Sequence, residues 1–152
     1  TSDGLIRNDG TTIFINTTSP NASKRLHISG DTLVEGNFAA STKSFLINHP
    51  SKDGMLLQHG NLEGPEHAVY IRGRLSNNNI IELPDYWINL IDSSTITVQL
   101  TPIKSFQFLY VKEIKNNKIF IKNKFPFTKT DCFFIVYAER KDVDKLQIEI
   151  LK

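Results

Sequence analysis

The sequence is poor in several residue types and patterns, and each shortage excludes a class of protein. One cysteine among 152 residues excludes an internal disulfide framework and a cysteine-rich zinc site. No apolar run approaches the roughly 20 residues of a membrane-spanning helix, and the amino-terminal residues lack the basic-then-apolar layout of a secretory signal peptide. The 18 basic and 16 acidic residues leave a net charge of only +2, which argues against a protein that neutralises nucleic-acid phosphates. We therefore predict no membrane insertion and no nucleic-acid partner.

Motifs of nucleophilic catalysis are missing as well. The chain has neither a Gly-x-Ser-x-Gly elbow nor a glycine-rich loop that could hold phosphates. The lone cysteine, Cys132, begins an apolar segment, and only Lys129 lies close enough in sequence to lower the pKa of its thiol, so we predict a small core residue. We expect a protein that is not an enzyme, with no catalytic residues, no metal site and no cofactor.

The composition that remains favours β-structure. Isoleucine, asparagine, lysine, phenylalanine and threonine are abundant, whereas alanine and methionine are scarce. This bias favours strands and polar turns over helices, although an AT-rich genome enriches several of the same residues. The length suits one domain, or one domain with a short appendage, and is sufficient for a hydrophobic core.

The first part of the chain, residues 1–42, contains only very short apolar segments separated by Gly, Asn, Asp, Ser and Pro. Strands of about three to five residues cannot enclose a core alone, so their apolar faces need the rest of the domain or other chains to cover them. An unstructured linker is the alternative, which the apolar segments disfavour. These segments are Leu5-Ile6, residues 13–15, residues 26–28 and Leu33-Val34.

The second part, residues 43–152, has longer candidate strands whose breaks carry Gly, Pro or Asn. About eight strands at this spacing are typical of an all-β sandwich or barrel. The segment 132–139 is almost continuously apolar, which predicts a central strand that is covered on both faces. The candidate strands are residues 44–48, 55–59, 68–75, 79–83, 96–100, 106–114, 118–122, 132–139 and 147–151.

Glycine and asparagine positions predict local backbone geometry. Gly73 lies on the apolar side of an alternating strand, which indicates a bulge or a close backbone approach. Asn77 begins a run of three asparagines, where a positive φ is tolerated. Asn116 and Asn117 separate two strands and predict a β-hairpin turn.

One short helix is expected after Pro84. Asp85 is positioned to cap its first turn, and Trp87, Leu90 and Ile91 share one face at helical spacing. The pattern extends over about two turns.

The densest cluster of polar side chains lies on one turn. Two imidazoles and two carboxylates within nine residues suggest metal ligands or an acid/base pair. Gly60, Gly64 and Pro65 forbid the helix that a His-Glu-x-x-His site requires. We therefore favour a tight turn whose carboxylates accept backbone hydrogen bonds or pair with Arg72 or Arg74, and we keep glycan binding or glycan cleavage as the alternative. The cluster consists of His59, Glu63, Glu66 and His67.

Lysines and aromatic residues alternate over residues 104–129. Such a pattern occurs in platforms that stack single-stranded nucleic acid. The favoured interpretation is a strand pair with lysines on the solvated face and aromatic rings in the core. The residues are Lys104, Lys112, Lys115, Lys118, Lys122, Lys124 and Lys129 with Phe106, Phe108, Tyr110, Phe120, Phe125 and Phe127.

Several segments occur in an order that is specific as a set. They are KSFLINHP (43–50), LQHGNLEGPEHAVYIRGRL (57–75), IELPDYWINLI (81–91), STITVQLTPI (94–103), LYVKEI (109–114) and FIVYAERKDV (134–143). Together they resemble the C-terminal domain of bacteriophage tail-fibre and other virion appendage proteins, a domain common in marine and cyanobacterial phages. LHISGDTLVEGNF (26–38) similarly resembles the end of a fibre shaft.

The resemblance implies a structural subunit of the virion that is synthesised in the host cytoplasm. It implies a homotrimer, with residues 1–42 as a shaft or trimerisation segment and residues 43–152 as a β-sandwich-like head. The implied partners are other copies of the chain and other virion proteins, with or without a host surface glycan or protein receptor. A carbohydrate-binding surface would use exposed aromatic or basic side chains, and the candidates are Tyr70, Arg72, Tyr86 and Trp87.

Overall fold

The computed structural model describes residues 6–10, 12–17, 24–125 and 128–151. Leu5 and Phe127, which belong to two of the predicted features, lie outside the described residues. The chain divides into two compact units, Thr1–Ser41 and Thr42–Lys152. Each unit is described by itself below.

The Thr1–Ser41 unit contains a sheet of three very short strands, β1 (Ile6–Asn8), β2 (Ile13–Ile15) and β3 (Leu26–Ile28). Strand β1 pairs antiparallel with β2, and β2 pairs parallel with β3. Three of the four predicted apolar segments therefore contribute residues to strands, whereas the fourth, Leu33 and Val34, lies in no strand.

The Thr42–Lys152 unit is an all-β, sandwich-like domain in which none of the described sheets closes into a barrel. The described residues of this unit contain eight strands, in keeping with the predicted number. They are β4 (Ser44–Asn48), β5 (Leu56–Gly60), β6 (Ala68–Ser76), β7 (Ile80–Glu82), β8 (Thr97–Pro102), β9 (Leu109–Lys115), β10 (Lys118–Asn123) and β11 (Asp131–Glu139). Strands β4 and β5 form an antiparallel hairpin, while β6-β11-β8 and β7-β10-β9 form two three-stranded sheets.

The core of this unit is formed by the alternating apolar side chains of both three-stranded sheets. Val136 and Cys132 on β11 are fully buried, as are Ile119 on β10 and the helical residues Trp87 and Leu90. Period-two alternation explains the arrangement, since every second residue of a strand faces the same side. Cys132 is thus a core residue, as predicted, and burial raises the pKa of its thiol.

The predicted helix is present but shorter than its pattern. Helix α1 spans only Trp87–Leu90, and its cap is Tyr86, which makes no side-chain capping hydrogen bond. The prediction that Asp85 caps it is therefore wrong. Packing stabilises this single turn, because both of its buried side chains are fully enclosed by the core.

The backbone conformation at the glycine and asparagine positions largely agrees with the predictions made for them. Gly73 is a site of close approach and not of a bulge, because β6 and β11 pair without a shift in register and the ring of Phe134 lies over the glycine. Asn77 has a φ of 54°, and Asn116 and Asn117 have φ values of 51° and 57° in the β9–β10 turn. Two successive positive φ values are those of a type I′ hairpin turn.

Two predictions from apolar patterns fail. Residues 147–151 alternate but lie in no strand, and Ile148 and Ile150 are exposed. Strand β11 has only one face in the core, since Phe133 on its other face is 53% exposed. Alternation and apolar content indicate what a strand can bury, but a pairing edge or a covering layer has to be supplied by other parts of the chain.

Among the described residues, neither α1 nor the 3-10 turn Ser93–Thr95 approaches the length and apolar character that crossing a bilayer requires.

Candidate functional site

Four of the predicted ligand residues line one surface cleft beside the β5–β6 connection. The cleft has a volume of about 470 Å³, and its wall includes His59, Tyr70, Arg72 and Tyr86. Tyr70 and Arg72 face it because they occupy the solvated positions of β6, whose alternate residues are in the core. Tyr86 reaches it from the residue that precedes α1. Residues that are distant in sequence therefore meet here.

An adjacent cleft of about 300 Å³ contains the remaining parts of the predicted cluster. Glu63 and His67 line it together with Phe45 and Arg140. Two other candidates lie elsewhere: Glu66 is exposed on the turn and lines neither cleft, while Trp87 is fully buried and presents no ring face to a ligand.

His59 lies among aromatic rings in the wall of the first cleft. Its Nε2 lies 3.1 Å from the hydroxyl oxygen of Tyr86, and its ring centre lies 5.2 Å from that of Phe45. Arg140 packs over Phe45 at 4.4 Å from the ring centre and makes two hydrogen bonds to Asp142, at 2.8 and 2.7 Å. Burial, and secondly the charge of Arg140, lower the pKa of His59. Its neutral form is therefore favoured at neutral pH, which suits a hydrogen-bonding role in the wall of the cleft.

A pH titration of His59 by NMR tests this environment. We expect a midpoint below the ordinary histidine value of 6.5, and we expect Arg140→Gln to raise it because a nearby positive charge is removed. Arg72→Gln, which removes an arginine that lines the same cleft as His59, is the matched control and should leave the midpoint nearly unchanged. Because the folded-state pKa is lowered, the contribution of His59 to stability is complete above the unfolded-state pKa and decreases as the pH falls. A midpoint at or above 6.5 contradicts the prediction.

The carboxylates near the clefts are held by ion pairs other than those predicted. Glu63 pairs with Lys43, and Arg74 makes a two-pronged pair with Asp131 at 2.8 Å, so the predicted pairing of the turn carboxylates with Arg72 or Arg74 is wrong for Glu63. The hydrogen bond and charge of Lys43 hold the pKa of Glu63 below its usual range. Glu63 thus stays ionised and is a poor proton donor.

The described residues that line the two clefts do not include a facing pair of carboxylates. A glycosidase uses two carboxyl groups across a groove, one of them protonated. Among the described residues, Glu63 is the one carboxylate that lines either cleft, and no group of three or more His, Cys, Asp or Glu side chains is placed to hold a metal ion. The exposed ring of Tyr70 and the guanidinium of Arg72 bring an apolar face and charged hydrogen-bond donors to one cleft.

Most of the described aromatic residues of the lysine-rich region lie on the surface, so the prediction that they form core is wrong for those residues. The buried residue of the loop before β9 is Gln107, whose amide bonds the backbone of Ile103 and Asp131 at 2.8 to 3.2 Å. Phe106 and Phe108 flank it and therefore point outward, and Phe106 is 80% exposed. The other exposed rings are Tyr110 and Phe125, whereas Phe120 is half-buried.

The sequence analysis missed several residues of these surfaces. Phe45 lies on β4 and Arg140 directly follows β11, so the two residues are far apart in sequence, and only the fold brings them together. The position of Arg140 directly after the apolar strand β11 could have indicated its role, because a basic side chain at the edge of the core needs an acidic or aromatic partner.

Comparison of the chain with protein-family models, with curated proteins and with solved structures finds no match. A functional assignment therefore depends on the fold and on the surfaces described above.

Proposed function

We propose that this protein is a structural subunit of a virion appendage such as a bacteriophage tail fibre. In this proposal three copies associate through residues 1–42, and residues 43–152 form a β-sandwich-like head. The resemblance of residues 43–150 to the C-terminal domain of such appendage proteins supports the role, and the all-β fold agrees with it.

The observation that carries the proposal is the exposure of apolar side chains in the Thr1–Ser41 unit. Leu33 is 85% exposed and Phe38 is 64% exposed, and Ile6 and Leu26 on its strands are also more than half exposed. Phe14 is the one large apolar side chain of this unit that is buried among the described residues.

Such a surface is unfavourable for an isolated chain. Covering one large apolar side chain is worth about 1.5 to 3 kcal/mol, so several uncovered side chains represent a strong drive to associate. Strands of three residues are at the lower limit of usual strand length, and pairing with strands of neighbouring copies would widen their sheet. A fibre with three copies around one axis satisfies both needs through identical surfaces.

Sedimentation equilibrium of the full chain tests the assembly. We expect a mass of about three times the 17.3 kDa chain and at least a tenfold weaker association for Leu26→Asp, because the charge would be buried between copies. Ile88→Asp is the matched control, since Ile88 is an equally exposed apolar residue of the other unit and should leave the mass unchanged. A monomeric full chain at micromolar concentration contradicts the proposed trimer, as does an equal effect of the two substitutions.

A further inference from the structure

A third pocket lies on the Thr42–Lys152 unit between the turn after β6, the end of β10 and the loop before β11. Its volume is about 450 Å³. Its described lining differs from that of an apolar cavity, because those residues combine amides, hydroxyls and two ammonium groups with one aromatic ring and include no acidic residue. The residues that matter for ligand chemistry are Asn77, Asn79, Asn123, Lys122, Lys129 and Phe125.

The polar wall of this pocket is held in place by hydrogen bonds within the fold. Thr130 is buried, and its hydroxyl donates to Oδ1 of Asn79, while its carbonyl accepts the backbone N–H of Asn77 at 2.8 Å. Oδ1 of Asn123 accepts the backbone N–H of Phe125 at 3.1 Å. These bonds orient the side chains before any ligand binds, which lowers the entropic cost of binding.

Hydrogen-bonding capacity remains open toward the pocket. Among the described residues, neither the side-chain nitrogen Nδ2 of Asn79 nor the side-chain amide of Asn77 has a protein hydrogen-bond partner. Neighbouring amide and hydroxyl groups offer donors and acceptors side by side, which is the pattern that adjacent hydroxyl groups of a sugar require.

The charge of the pocket is positive and uncompensated. Within the part of the chain that the structure describes, Lys122 and Lys129 form no ion pair. The nearest acidic residue in sequence, Asp131, is occupied by Arg74 at 2.8 Å and by Lys104 at 3.3 Å. Two unpaired ammonium groups at the rim of a concave surface favour an anionic ligand.

The ring of Phe125 supplies the apolar part of the lining. It is 45% exposed, and its outer partner is Phe106 at 6.5 Å between ring centres. An exposed ring beside amides and hydroxyls can pack against the C–H face of a sugar while the polar groups bind its hydroxyls.

We propose that this pocket binds an acidic saccharide, that is, a sugar that carries a carboxylate or phosphate group. The lysines engage the anionic group, the asparagines bind the hydroxyls and Phe125 packs against the ring. A single-stranded nucleic acid is less suited, because it needs a basic groove that follows several phosphates and successive aromatic platforms. The inference goes beyond the proposed assembly and does not depend on it, since the pocket lies entirely within one unit.

NMR titration of the full chain with D-galacturonate, N-acetylneuraminate and glucose 6-phosphate tests the proposal. We expect shifts confined to the pocket, and at least a tenfold weaker effect of D-galactose, which lacks the carboxylate of galacturonate. The affinity should fall as salt is added, because the exposed lysines are screened. The absence of pocket shifts with all three acidic sugars, or equal binding of galactose and galacturonate, overturns the proposal. Tighter binding of an eight-nucleotide oligothymidylate than of the acidic sugars also overturns the proposal.

Variants assign the binding to this pocket. Lys122→Gln combined with Lys129→Gln is expected to weaken binding of the acidic sugars at least tenfold, whereas Lys112→Gln, an exposed lysine of the same sheet outside the pocket, should have no effect. Phe125→Ala should weaken binding and leave the preference for acidic over neutral sugars unchanged. Both lysines are exposed, so the variants should fold normally, and far-UV circular dichroism verifies this. Equal losses in the double variant and in Lys112→Gln contradict the assignment.

Discussion

Trp87→Ala is expected to lower the free energy of unfolding by about 3–5 kcal/mol. Trp87 is fully buried on α1 together with Leu90, and it packs within the core that both three-stranded sheets share. Removal of the indole leaves a large cavity, which the surrounding sheets cannot close without losing their register. The loss is a large part of the 5–15 kcal/mol that stabilises a typical domain.

Urea unfolding followed by far-UV circular dichroism measures this effect. Fluorescence is unsuitable because Trp87 is the only tryptophan of the chain. Ile88→Ala is the matched control on the same helical turn, and since Ile88 is 60% exposed we expect a change of less than about 0.5 kcal/mol. Both variants are compared at one protein concentration, because an assembling chain unfolds in a concentration-dependent way. Similar losses for the two variants would contradict the central position of Trp87.

Gly73→Ala is expected to destabilise the protein by about 1–3 kcal/mol. A Cβ atom at residue 73 would lie 2.6 Å from Cζ and 2.9 Å from Cε1 of Phe134, the residue directly opposite on β11. The ring is half-buried against the core, so it cannot move aside without losing contacts. The steric cost therefore outweighs the modest entropic gain of about 0.4–1 kcal/mol that alanine brings to the unfolded chain.

Two further variants isolate the steric cause. Gly60→Ala is the matched control, because Gly60 also lies in a strand but has no atom within 4 Å of an added Cβ, and its substitution should be nearly neutral. In a Phe134→Leu background, Gly73→Ala should cost less than half as much, since the clashing ring is gone. Additive effects of Gly73→Ala and Phe134→Leu would exclude a direct clash.

The positions of strands and turns were largely predictable from local sequence. The alternation of residues 68–75 and the asparagines at 116 and 117 predicted β6 and the β9–β10 turn, because side-chain period and positive φ depend on neighbouring residues alone. Gly73 was likewise identified as a special position, as either a bulge or a close backbone approach, and the structure places a side-chain ring over it. The group that approaches it, Phe134, lies 61 residues away and could not be identified without the pairing of β6 with β11.

The errors share one cause. Residues 147–151 have the alternation of a strand but pair with none of the described strands, and β11 has the apolar content of a fully covered strand but leaves one face exposed. Phe106 and Phe108 resemble core residues, yet the loop buries Gln107 between them because its amide satisfies two backbone segments. In each case a distant partner decides the outcome.

In the candidate sites, too, single residues were visible in the sequence but their distant partners were not. The polar turn of His59, Glu63 and His67 was visible as a cluster, but its ion pair with Lys43 and its contact with Tyr86 were not. The pocket beside Phe125 combines three separate segments, and the sequence marked the asparagine turn, the lysines and Phe125 without showing that they meet.

The sequence by itself determined an all-β chain with a first segment of strands too short to bury their own apolar residues, because composition and side-chain period are local properties. It also excluded a disulfide framework by cysteine count alone. The tertiary structure decided which faces are covered, which charges are paired and which side chains converge on a cleft. Those outcomes depend on strand pairing and on contacts between segments far apart in the chain, which no local pattern specifies.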